Sequence, residues 1–163
     1  MKKIDFLFIF VVIAIICGGL YFIPLRKNID ITLNGIEGKI GNPENIENKS
    51  IHIKGKYTNY LLKKDSFVGY IKIDGYEVSE GLMNTKFSDN YSPLTYLKVS
   101  NGVNLVRFGE LHIGKGLKEV VIIKYDSKDE DTQLKYEDEA TFIVAPAKKY
   151  DDALPLIKKL RRN

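Results

Sequence analysis

The chain has 163 residues, a formal net charge of +4 and a single cysteine. That length leaves room for one ordinary domain, and one cysteine excludes a disulfide-stapled secreted scaffold. From Pro24 to Pro146 there are 17 Lys/Arg against 18 Asp/Glu, whereas residues 147–163 carry 6 against 2, so the positive excess sits in the tail and not over a nucleic-acid-binding face.

Met1-Lys2-Lys3 opens an almost unbroken apolar run from Ile4 to Ile23, closed by Pro24 and followed by Arg26-Lys27. A bilayer core needs roughly 20 apolar residues in helical form, which this run supplies with only Asp5 charged, at its edge. A cleaved signal would have a shorter core of roughly 7–15 residues and a small-residue cleavage site. A lipoprotein signal places a small residue before its cysteine, but Ile16 precedes Cys17. A pilin-type leader would carry a glycine before phenylalanine and a glutamate soon after, and neither is found. Residues 1–27 therefore read as an uncleaved single-pass signal-anchor. The lysines on the very short amino-terminal flank place that end in the cytoplasm and the remainder outside the membrane.

Beyond residue 27 the apolar period is two. Ile29, Ile31 and Leu33 alternate before Asn34-Gly35, while Ile36–Lys49, rich in Asn and Glu, reads as loop or weak edge strand. Ile51, Ile53, Gly55 and Tyr57 alternate next. Phe67–Ile73 alternates most clearly and runs into Asp74-Gly75, which predicts a tight hairpin to Tyr76–Ser79. Leu94–Val99 and Val103–Phe108 form a second hairpin through Ser100-Asn101-Gly102, with further strands at Leu111–Ile113, Leu117–Tyr125 and Ala140–Val144. Such spacing predicts a mainly β domain over 28–146, an antiparallel β-sandwich-like or open-barrel arrangement. In residues 147–163, Tyr150, Ala153, Leu154, Ile157 and Leu160 share one helical face with basic residues after them. This predicts a short amphipathic basic helix starting near Asp152, with Pro155 in its first turn. That helix could dock on the domain or hold anionic lipid or teichoic acid.

Phe67-Val68-Gly69-Tyr70-Ile71-Lys72-Ile73-Asp74-Gly75-Tyr76, Phe108-Gly109-Glu110-Leu111 and the ending Val144-Ala145-Pro146-Ala147 resemble a group of uncharacterised small membrane-anchored proteins of low-GC Gram-positive bacteria. The resemblance implies an anchor with an external β domain and carries over no site residue.

Little in the sequence points to catalysis. His52 and His112 each sit between strand apolar residues, so both are expected on the solvent face, without metal-ligand spacing. No serine stands in a G-x-S-x-G or S-x-x-K setting, and Gly114-Lys115-Gly116 lacks the phosphate-loop spacing. Asp126–Glu139 is acidic enough to attract calcium but does not fit an EF-hand, because Lys128 or Leu134 falls where a ligand or glycine is required. Ten tyrosines suit sheet filling better than sugar stacking. The expectation is a membrane-anchored extracytoplasmic binding or structural module, non-enzymatic, with no catalytic, cofactor or metal residues. Its partners are the bilayer and an unknown protein or cell-envelope polymer, not nucleic acid. The competing reading is a cell-surface hydrolase using carboxylates in a cleft.

Overall fold

A computed structural model describes residues 8–14, 18–19, 24–60, 63–99, 103–125 and 140–161. Eight strands form one antiparallel sheet: β1 (Leu25–Lys39), β2 (Asn42–Asn59), β3 (Ser66–Ile73), β4 (Met83–Lys86), β5 (Tyr91–Val99), β6 (Val103–Ile113), β7 (Val120–Lys124) and β8 (Thr141–Ala145). Their order is β4-β3-β2-β1-β8-β7-β6-β5. Apart from β4 and β5, consecutive strands are neighbours, β8 returns to β1, and the edges β4 and β5 come together. A Ser88–Tyr91 bridge and a Thr85–Ser92 hydroxyl contact link those edges. The result is a nearly closed up-and-down barrel, the open-barrel alternative and not two stacked sheets.

Cross-strand partners followed once round the barrel run from Lys27 through Tyr57, Phe67, Thr85, Ser92, Leu111, Ile122 and Ile143. They return to β1 at Glu37, ten residues further along. Such a stagger tilts the strands, and eight strands enclose a space that side chains can fill. Ile53, Phe67, Ile71, Leu94, Tyr96 and Leu111 fill it here. The Tyr96 hydroxyl, the polar end of the largest buried side chain, donates to the Ile71 carbonyl at 2.8 Å.

Outside the barrel, the C-terminal helix Tyr150–Arg161 lays Ala153, Ile157 and Leu160 against Ile36, Val121, Ile123 and Val144. This explains why β7 and β8 read Val-Val-Ile-Ile and Phe-Ile-Val-Ala without alternation: both of their faces are covered. The helix begins two residues earlier than expected and carries Pro155 inside it. Its start is fixed by Asp152, whose Oδ2 accepts the Lys149 backbone N–H at 3.0 Å in the manner of a capping box. Leu154 stands half-exposed beside the docked stripe.

Three local expectations are corrected. Ile36–Lys49 is neither loop nor weak edge, since β1 and β2 pair in register from Leu25↔Asn59 to Gly38↔Ile46 and, past a shift of register, again at Lys39↔Asn42 before the turn at Gly41, at φ 82°. The polar composition there reflects two strand ends whose residues 42–48 are exposed. Asp74-Gly75 does turn the chain, with Gly75 at φ 80° and the Tyr76 N–H donating to the Ile73 carbonyl, but a 3-10 turn Glu77–Glu80 follows. The partner of β3 is β4, beginning at Met83. Ser79 prevents an immediate return, because its buried hydroxyl accepts the Ile73 N–H at 2.8 Å and pins the chain as a cap on β3. Leu111–Ile113 is no separate strand but the end of β6.

The barrel wall starts at Leu25, inside the expected 1–27 segment. Residues 8–14 and 18–19 are helical, while 1–7, 15–17 and 20–23 of the expected anchor lie outside the described residues. Among the described residues no helix is long and apolar enough to cross a membrane.

Candidate functional site

Strand parity places Glu37, Lys49 and Lys124 inward, in line with Leu33, Ile51 and Ile122, at the end of the barrel opposite Leu25. Tyr76, held by the turn after β3, leans over them. Lys124 Nζ donates to Glu37 Oε1 at 2.9 Å and to the Tyr76 hydroxyl, which itself donates to the same carboxylate oxygen. Lys49 Nζ lies 3.5 Å from Glu37 Oε2 and 3.0 Å from Glu47. Both ammonium groups also approach the Tyr76 ring, at 5.3 and 4.5 Å from its centroid, and the ring packs edge-on against Phe108.

Two cations thus meet two carboxylates and a phenol over an apolar interior. Burial works against the Glu37 charge, but the Tyr76 hydroxyl and the Lys124 ammonium outweigh it and hold the carboxyl below its usual range. Burial likewise opposes the charge on Lys124, and contact with Tyr76 and Glu37 overrides it and raises the ammonium. Tyr76 is pushed up by burial and by Glu37. All three groups are locked in their neutral-pH forms, so the cluster works as a paired polar lid. Beside it, a shallow depression of about 310 Å³ runs between Asn34, Lys49, Asp74 and Lys148.

The histidines part company. His52 is half-exposed and meets Asp30 at 2.9 Å, the solvent-face position expected for it. His112 is instead buried, only 7% exposed. It occupies the outer face as its parity requires, but the last turn of the C-terminal helix covers that face. The imidazole lies 3.7 Å from Glu110 and packs against the Tyr91 ring, and burial lowers its pKa despite Glu110. Nearby, Asn90 donates to the Leu160 carbonyl at 2.6 Å and fixes the helix end.

Among the described residues no group of three His, Cys, Asp or Glu side chains converges as a metal site. The acidic segment Asp126–Glu139 weighed for calcium lies outside the described residues. Sequence reasoning missed the Glu37–Lys49–Tyr76–Lys124 cluster. Its signal was charged residues at inward strand positions, which alternation reveals only when the strands are drawn to their full length. Comparison with family models, curated proteins and solved structures finds no match.

Proposed function

We propose that the protein is a membrane-anchored extracytoplasmic binding or structural module and not an enzyme. The observation that carries this reading is the passage of the apolar run, through Pro24, straight into the first barrel strand at Leu25. With no linker between them, the barrel is held at the membrane surface by its own wall. Its interior is occupied by side chains, which supports binding by the outer surface and the ends in preference to an internal chamber.

The hydrolase alternative would need one carboxyl kept protonated as an acid. The two that share Lys49, Glu37 and Glu47, do not suit that role, since Glu37 is held ionised. Protease added to intact protoplasts of a producing cell tests the arrangement. The barrel should be degraded while a cytoplasmic control survives. Protection of the barrel under conditions that strip a known external protein would overturn the reading.

A further inference from the structure

The topology gathers basic residues at one end of the barrel in a way the linear sequence hides. Five features converge on the end where β1 starts. Arg26 and Lys27 open β1, and Lys63 and Lys64 lie in the β2–β3 connection. Lys86 closes β4, Lys115 and Lys118 flank the β6–β7 turn, and the last helical turn arrives with Lys158 and Lys159. Its position is secured by Lys159 Nζ on Glu119 at 2.7 Å and by Asn90 on the Leu160 carbonyl. The acids among the described residues at this end are Asp65, Asp89, Glu119 and Glu110, the last beside His112 under the helix end. Asp65 is turned inward to Tyr57, Asn59 and the Tyr60 N–H, and Glu119 is taken by Lys159. The opposite end is mixed: Glu44, Glu47, Asp74, Glu77 and Glu80 stand there with Lys39, Lys49, Lys72, Lys124 and Lys148, Glu47 being paired with Lys49 and Glu80 with Lys72.

We propose that the basic end is a membrane-facing surface that rests on anionic phospholipid headgroups and stands the barrel upright with its mixed-charge end outward. This rests on the anchored reading above and deepens it. Charge complementarity selects the occupant, and continuity with the apolar run supplies the proximity: the run enters the barrel at Leu25, beside these lysines. Leu25 is itself 68% exposed at that junction. The docked helix then serves both roles weighed for it, since its apolar stripe binds the barrel and only its basic tip reaches the lipid. Basic side chains within a Debye length of an anionic leaflet each strengthen attachment by roughly five-fold, so several acting together orient a tethered domain firmly.

The test uses the full chain with Cys17→Ser, reconstituted in vesicles of phosphatidylcholine alone or with phosphatidylglycerol. A fluorophore is attached through Ser88→Cys at the basic end or Glu77→Cys at the opposite end, and a headgroup spin-labelled lipid serves as quencher. Quenching at position 88 should exceed that at position 77 and grow several-fold with phosphatidylglycerol. It should be lost in Lys64→Glu/Lys86→Glu/Lys115→Glu/Lys118→Glu and kept in the matching Lys→Arg variant, both melting like the parent. Equal quenching at the two positions, or indifference to anionic lipid, overturns the proposal. Loss of the position-88 signal to soluble polyglycerol phosphate at matched phosphate concentration overturns it in favour of an envelope polymer. Alkaline carbonate flotation separates the two readings: release from the vesicles overturns the anchor and the surface together, whereas retention without quenching overturns only the surface.

Discussion

Gly55 and Gly69 face each other across β2 and β3 with the Phe67 ring between them and the interior. A Cβ on Gly69 would stand 2.2 Å from the Lys54 carbonyl oxygen and 2.9 Å from the Phe67 ring, so backbone and not a flexible tip would have to move. Gly69→Ala should therefore cost about 2–3 kcal/mol, read by chemical denaturation. At the polar lid, Glu37→Ala leaves Lys49 and Lys124 over an apolar interior without their shared acceptor. A loss of about 2 kcal/mol is expected, and a joint Glu37→Leu/Lys124→Met exchange should recover most of it, because a partly buried ion pair returns little beyond its desolvation cost. The sign of the pH effect follows from the lowered carboxyl. Its contribution is complete above the unfolded value of 4.5 and is lost as the pH falls through the lower folded value, so the Glu37→Leu/Lys124→Met protein should lose less stability than the parent below pH 4.5.

Among the elements, the C-terminal helix decides most. Ile157 is 6% exposed among Val121, Ile123 and Val144, so Ile157→Ala should remove about 2–4 kcal/mol, whereas Lys158→Ala should change stability little. The same helix creates the histidine site. Glu110 on β6, Tyr91 on β5 and Arg161 with the Leu160 carbonyl on the helix surround His112, and burial depresses its pKa below 6.5. A depressed histidine contributes stability that is full above pH 6.5 and lost as the pH falls through the folded value. Melting temperature should drop between pH 7.5 and 5.5 in the parent, and the drop should shrink in His112→Leu.

For the molecule as a whole, closure rests on unequal joints. β1 pairs β8 through four residues, Ile36–Lys39, whereas β4 meets β5 through a single bridge and a hydroxyl contact. The β4–β5 seam should open first, giving amides of Met83–Lys86 faster hydrogen exchange than those of Ile51–Tyr57, which are paired on both sides. Ser92→Val, which removes one of the two seam hydroxyls, should widen that difference.

The sequence by itself determined the strand content, the hairpin of β5 and β6, the turn at Gly75, the amphipathic final helix and the apolar run, because each is a local pattern of period, turn chemistry or length. It could not determine that Ile36–Lys49 pairs with itself, since those residues owe their strand form to partners across the hairpin and not to apolar alternation. Nor could it bury His112, which took a helix end arriving from nearly fifty residues away in the chain. The closure of eight strands into a barrel, the convergence of Glu37, Lys49, Tyr76 and Lys124, and the gathering of basic residues at one end were decided by the tertiary structure alone. Their physical reason is common to all three: antiparallel order brings alternate turns to the same end and alternate side chains to the same face, so residues far apart in sequence meet only once the sheet has closed.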